Sequence, residues 1–105
     1  MIVKTPEPPY FAVIFSSFRT EINEEYNETF ENLMLAASEL DDFLGMESVR
    51  DGFGISVSYW KSIEGIREWK DNLQHIAAKR KGIEKWYESY MMRIARVDHD
   101  SYFSL

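Results

Sequence analysis

One histidine and three tryptophans between Gly54 and Val97 are the residues of this chain best suited to chemistry. His75 is the one histidine outside the C-terminal tail, and an unperturbed imidazole pKa of about 6.5 suits proton transfer at neutral pH. On a continuous helix Asn72 and Lys79 would share the face of His75, since they lie three residues before it and four residues after it. The tryptophans, whose rings could wall an apolar pocket, are Trp60, Trp69 and Trp86.

Each of these residues also has a purely structural interpretation. A helix histidine such as His75 is more often a partly exposed residue than a catalyst. Trp69 lies at helical spacing from Ile66, so the simplest role of its ring is core packing. Trp60 ends a predicted strand just before a helix, where a large ring commonly packs the two elements together, and Trp86 could cover the edge of the sheet. The residues alone leave both interpretations open.

Hydrophobic periodicity predicts the elements that position these residues. Strands rich in aromatic and β-branched residues are predicted at 10–18, 44–50, 54–60 and 87–98. Asp51-Gly52 indicates a tight turn between the second and third strands. A first amphipathic helix is capped by Asn23, and a second helical region runs from Ser62 to a stop or kink at Gly82. The apolar face of the second region comprises Ile63, Ile66, Trp69, Leu73, Ile76 and Ala77.

The order of these elements is that of the ferredoxin-like βαββαβ fold, in the α+β class. It predicts a four-stranded antiparallel sheet with the helices on one face. In the first strand, however, the alternate positions that start at Tyr10 and those that start at Phe11 are both largely apolar. Because the helices cover one face only, we expect the sheet of a second copy to cover the other, in a homodimer with sheets face to face. The alternative is that these apolar positions are simply exposed.

Length and composition limit the class of protein. The 105 residues predict an extended, proline-rich lead-in at 1–9 and a single domain at 10–105. A net charge of −6 opposes binding to a nucleic-acid backbone, and the lack of cysteine excludes thiolate metal ligands. No apolar run is long enough to span a membrane and no secretory signal is visible, so the expected compartment is the cytoplasm. Aromatic residues make up 15% of the chain, which favours a large aromatic cavity or interface.

A joint pattern of glycines, tryptophans and strand order extends over nearly the whole chain, from about Tyr10 to Phe103. Its segments are YFAVIFSSF at 10–18, DFLGMES around Gly45, GISVSYWKSIEGIREWK at 54–70, WYESY at 86–90 and RIARV at 93–97, with His75, Ala78 and Gly82 between them. In this pattern the chain resembles the antibiotic biosynthesis monooxygenase family of the dimeric α/β-barrel superfamily. The resemblance implies the ferredoxin-like fold and the face-to-face dimer.

The resemblance also implies the oxygenation of a small aromatic or phenolic compound without metal, flavin or haem, so no cofactor is expected. Such chemistry needs a proton acceptor, hydrogen-bond donors for the substrate anion and a cavity that excludes water. His75 would accept the proton, and Asn72 would orient its ring or donate to the anion. The residues expected to bind the substrate are Trp60, Trp69, Trp86, Tyr59, Tyr90 and Arg93. For Arg93, an ion pair with Glu47 or Asp51 on a neighbouring strand is the competing interpretation.

The sequence is also compatible with two other functions. The first is a non-catalytic small-molecule binding or stress-linked protein on the same dimeric scaffold. The second is a haem-degrading monooxygenase, whose relatives in the superfamily use an asparagine on the first strand. Here that strand ends in Ser16-Ser17-Phe18. In addition, Trp69 and His75 would be about 240° apart around a continuous helix, so they are not expected to share a face.

Overall fold

The computed structural model describes residues 1–105 apart from the side chain of Leu73, and its elements follow the predicted order. The strands are β1 (Tyr10–Arg19), β2 (Phe43–Asp51), β3 (Phe53–Trp60) and β4 (Tyr87–Val97). The helices are α1 (Tyr26–Ser38), α2 (Ile63–Lys70) and α3 (Leu73–Lys81), and a π-helical turn at Gly82–Trp86 leads into β4. The ferredoxin-like α+β fold is thus confirmed. Among the described residues, no helix combines the length and apolarity that crossing a membrane requires.

The sheet has the strand order β2-β3-β1-β4, and every neighbouring pair is antiparallel. Its register pairs Val13 with Ser58 of β3 and with Ile94 of β4. Since side chains alternate along a strand, these residues share one face with Phe11 and Trp60. We call this side the helix face, because Phe11, Val13 and Trp60 pack with residues of α1 and α2.

The main hydrophobic core lies between the helix face and the helices. Trp60 is its centre, with only 1% of its surface exposed, and it packs with Ala37 of α1 and with Ile66 and Trp69 of α2. Complete burial of such a ring removes a large apolar surface from water. Trp60 and Trp69 therefore have the core role that helical spacing and strand position suggested. The predicted packing of the Leu73 side chain lies outside the described part of the structure.

The second helical region is not continuous, contrary to the prediction. α2 ends at Lys70, and the chain turns at Asp71 and Asn72 before α3 begins. Asn72 has an extended backbone, and its Oδ1 accepts hydrogen bonds from the backbone N–H groups of Gln74 and His75, at 2.9 and 3.2 Å. A side-chain acceptor of this kind satisfies donors that would otherwise be unpaired at a helix start, which stabilises a new helix here.

The predicted cap of α2 is confirmed, whereas that of α1 is wrong. Ser62 Oγ accepts a hydrogen bond from the backbone N–H of Gly65 at 3.1 Å. Asn23 does not cap α1, because its Oδ1 accepts a hydrogen bond from Arg19 and the position before the helix is taken by Glu25 in a left-handed conformation. Between β2 and β3, Gly52 makes the predicted turn with a φ of 76°.

The opposite side of the sheet, which we call the open face, is partly covered by the ends of the chain itself. Val3 donates its backbone N–H to Glu47 and packs over Gly45, where an added Cβ would lie 2.9 Å from a Val3 methyl carbon. The Tyr10 hydroxyl donates to Asp100 at 2.7 Å, and only 4% of Tyr10 is exposed. At this end of the sheet the chain's own termini, and not the expected second copy, therefore cover the open face.

Gly65 provides a test of how tightly α2 is fixed to the loop before β2. An added Cβ would overlap the Cβ and Oδ2 of Asp42, whose carboxylate accepts a hydrogen bond from Ser62. We expect Gly65→Ala to lower the free energy of unfolding by roughly 1–3 kcal/mol, although alanine normally stabilises a helix interior. Chemical denaturation measures the change, and Glu64→Ala, at the exposed neighbouring position, is the control. An unchanged or raised stability of Gly65→Ala would contradict this packing.

Candidate functional site

A cavity of about 420 Å³ lies between the helix face and helices α1, α2 and α3. This volume falls within the range of about 300–1,000 Å³ that small-molecule sites occupy. Its wall is mainly apolar and aromatic, as such sites usually are. Prominent residues of the wall are Phe15, Tyr26, Phe30, Met34, Phe43, Met46, Trp60, Trp69, His75, Trp86, Tyr87, Tyr90 and Met92.

His75 enters the cavity wall because the helical region is broken before it. The turn at Asp71 and Asn72 redirects the chain, so the imidazole packs against the Trp69 ring with a centroid separation of 5.1 Å. Trp69 in turn lies 6.2 Å from the Trp60 ring. The prediction that Trp69 and His75 cannot share a face is wrong, since it assumed a continuous helix. This contact removes one of the two arguments against haem degradation, namely that Trp69 and His75 lie on different faces. The other argument, the lack of an asparagine on β1, remains.

The imidazole of His75 is half-buried and has an unused polar atom. Its Nδ1 is buried and has no hydrogen-bond partner among the described residues. Burial lowers the pKa of His75 below 6.5, and the positive charges of Lys79 and Lys70 lower it further. The backbone carbonyl of Lys70 acts in the opposite direction and raises this pKa. The ring is therefore largely neutral at pH 7, so a lone pair of the imidazole is available to accept a proton.

Tyrosines form the part of the wall near the start of β4. The ring of Tyr87 packs edge-on against Phe15 and against Tyr26, at centroid separations of 5.3 and 6.5 Å. Burial raises the pKa of Tyr87, and the hydroxyl of Tyr26 acts in the same direction. Arg19 lies over the Tyr26 ring, 3.5 Å from its centroid, and Trp86 donates its indole N–H to the Glu24 carbonyl at 3.1 Å. A phenol that stays neutral is a hydrogen-bond donor, so the Tyr87 hydroxyl can stabilise an anion in the cavity.

The charges of the cavity wall have one sign. Lys70 and Lys79 line the cavity beside His75, whereas no aspartate or glutamate of the described residues does so. The hydroxyls of Ser56 and Ser58 also line it, and Ser58 accepts the Trp60 indole N–H at 2.9 Å. In a chain of net charge −6, this wall is an exception that favours anions.

The structure brings five of the eight predicted site residues to the cavity: Trp60, Trp69, His75, Trp86 and Tyr90. Asn72 does not line it, since its Oδ1 caps α3. Tyr59 and Arg93 lie on the open face. There the Tyr59 hydroxyl donates a hydrogen bond to the Glu47 carboxylate at 2.6 Å. Burial, and then this carboxylate, raises the pKa of Tyr59 to about 12. No ion pair of Arg93 with Glu47 or Asp51 is found among the described residues.

Sequence reasoning missed Tyr26 and Tyr87 as members of the site. Neither tyrosine is among the candidate residues predicted from the sequence, and yet both line the cavity. The glycine at position 82 was the one sequence feature that pointed to Tyr87, because a Cβ at this position would approach the Tyr87 ring to 2.9 Å. The close approach shows that Gly82 leaves room for Tyr87 inside the fold.

Comparison with known proteins agrees with this architecture. No protein-family model matches the chain. The uncharacterized protein YqjZ of Bacillus subtilis is 52% identical over 102 residues, which cover 95% of this chain and 90% of YqjZ.

The solved structures that are similar to the chain in fold include two oxygenase-type proteins. SnoaB, a cofactor-independent oxygenase from Streptomyces nogalater, has a TM-score of 0.68 at 6% identity and covers 90% of this chain and 97% of its own. A candidate antibiotic biosynthesis monooxygenase from Nitrosomonas europaea has a TM-score of 0.68 at 9% identity, and the match covers 89% of this chain and 93% of the Nitrosomonas chain. The chain therefore belongs to the family of Bacillus subtilis YqjZ, and it has the ferredoxin-like fold of the antibiotic biosynthesis monooxygenases that its sequence resembles.

Proposed function

We propose that this protein is a cofactor-independent monooxygenase that oxidises a small aromatic or phenolic compound in the cavity. The observation that carries the proposal is the position of His75, whose imidazole has a buried, unpartnered Nδ1 and lies on the wall of an aromatic cavity. The likeness in fold to SnoaB supports the same reaction class.

In the proposed reaction His75 removes a proton from the substrate, and the hydroxyl groups of Tyr87 and Tyr26 donate hydrogen bonds to the resulting anion. The electron-rich anion then reduces dioxygen. For a phenolic substrate that is activated at a CH₂ group, this carbon loses two hydrogens. One oxygen atom becomes the new carbonyl and the other leaves as water, so no external reductant is needed. The apolar wall keeps bulk water away from the anion.

We further propose that the functional unit is a homodimer in which the open faces of two sheets pack together. The end of the open face that the chain termini leave uncovered carries exposed apolar side chains. These are Phe18, Val49, Phe53, Ile55 and Met91, with 39% to 71% of each residue exposed. A contiguous apolar area of this kind is typical of an interface rather than of a solvated surface. The C-terminal side chains Tyr102, Phe103 and Leu105 are also exposed and can contact the second copy.

The proposed reaction is tested by measuring oxygen uptake with an anthrone and no added cofactor. We expect one dioxygen to be consumed for each anthraquinone formed, at a rate that scales with protein concentration after subtraction of autoxidation. A chelator is the control for trace metals, and it should leave the rate unchanged. Failure of the purified protein to exceed the autoxidation rate with any of a panel of phenols would contradict the proposed activity.

Binding without turnover is the second candidate function, and the same cavity supports it. It predicts that an anthrone or its quinone raises the thermal unfolding temperature of the protein while oxygen uptake stays at the background rate. Thermal unfolding and oxygen uptake measured on the same samples therefore separate the two functions.

A further inference from the structure

Two lysines flank His75 at the boundary between the cavity and solvent. Lys70 is the last residue of α2 and Lys79 lies on α3. Both lysines line the cavity and are also exposed to solvent. Both ammonium groups lie close enough to the His75 ring to lower its pKa. The cationic positions thus lie at the mouth, whereas the part of the cavity around Trp60 is fully buried.

These two lysines are free to meet a ligand. Lys81, one helical position beyond Arg80, forms a salt bridge of 2.9 Å with Glu25. The other salt bridge among the described residues joins Arg96 to Asp98, and neither bridge involves Lys70 or Lys79. No described carboxylate lines the wall either, so neither ammonium group at the mouth has an ion-pair partner among the described residues.

We infer that the ligand of this cavity is an amphipathic aromatic acid, with its planar apolar body among the buried rings and its carboxylate at the mouth between Lys70 and Lys79. This inference rests on the proposed function, since it specifies the substrate class of the same site. It adds a permanent negative charge, distinct from the anion that His75 would generate. A chain of net charge −6 would otherwise repel such a ligand, so the two lysines would provide the selectivity for acids.

The inference is tested with two ligands of the same shape, 2-naphthoate and 2-naphthamide, whose affinities are measured by isothermal titration calorimetry. We expect the carboxylate to bind about five- to tenfold more tightly than the amide, because each partly exposed ion pair contributes modestly. Lys70→Gln and Lys79→Gln should each weaken naphthoate binding about two- to fivefold, and the double variant should abolish the preference. Amide binding should not change in any of them. Arg80→Gln, on α3 but outside the cavity wall, is the matched control and should keep the preference.

The outcomes distinguish this inference from the proposed function. Equal affinities for acid and amide, or a preference that survives in the double variant, would overturn the inference while leaving the cavity as an aromatic site. Failure of both ligands and of anthrones to bind would overturn the proposed site and the inference with it. Loss of the preference in Arg80→Gln as well would show that the net charge of the protein, not the mouth of the cavity, selects acids.

Discussion

Replacing His75 with glutamine is expected to lower the rate of cofactor-independent oxygen uptake by about 10²–10⁴-fold, the usual contribution of a positioned general base. Glutamine keeps a polar side chain of similar length, but it cannot accept a proton at neutral pH. His75 is only half-buried and its Nδ1 has no hydrogen-bond partner among the described residues, so the change should leave the fold intact. Thermal unfolding of the variant would check this.

The tail histidine provides the matched control. His99 is exposed and lies outside the cavity, so His99→Gln should retain full activity. Equal rates in native protein and His75→Gln would contradict the assignment of His75 as the proton acceptor. The variant should still bind 2-naphthamide, because the aromatic wall is unchanged.

The pH dependence of the proposed oxygen uptake by the native protein should report the same group. Burial lowers the pKa of His75, so the imidazole is neutral at pH 7 and becomes protonated only as the pH falls through a value below 6.5. Since the neutral form is the base, activity should be constant near neutrality and decline on acidification, with a midpoint below 6.5. A midpoint at or above 6.5 would be inconsistent with this environment. Initial rates in buffers of constant ionic strength measure the profile.

Much of the fold was accessible from the sequence because local signals agree with one another. The aromatic and β-branched residues of the 10–18 segment identify it as a strand, and the Asp51-Gly52 turn fixes the register of the β2–β3 hairpin. The break before α3 was harder to predict, since no proline or glycine marks it. Asn72 was nevertheless a usable signal for the start of a helix. Treating it as a helix cap would have placed Trp69 and His75 on two separate helices.

The site could be predicted only in part. Tyr59 and Trp60 are neighbours in one strand, so they point to opposite faces and cannot both line one cavity. The same alternation separates Arg93 from Met92, which lines the cavity. In contrast, no local pattern could have brought Tyr26 of α1 next to Tyr87 of β4. That contact depends on how the helices cross the sheet.

Introducing a charge at the uncovered, apolar end of the open face is expected to convert the proposed dimer into a monomer. Ile55 is 39% exposed and lies between Ser16 and Val49 in the sheet, so in a face-to-face dimer it would be buried. Two-fold symmetry places each substitution in the interface twice. Because burial of an unpaired carboxylate costs several kcal/mol, we expect Ile55→Glu to raise the dimer dissociation constant by at least about 100-fold.

Leu35→Glu is the matched control, since it adds the same charge at a 67% exposed apolar position on α1, away from the open face. Light scattering at micromolar concentration should give a dimer mass for the native protein and for Leu35→Glu, and a monomer mass for Ile55→Glu. An unchanged circular dichroism spectrum would show that the monomer is folded, as expected when the core around Trp60 lies on the other side of the sheet. A monomeric native protein would overturn the dimer outright, because the exposed apolar end of the open face would then have no occupant.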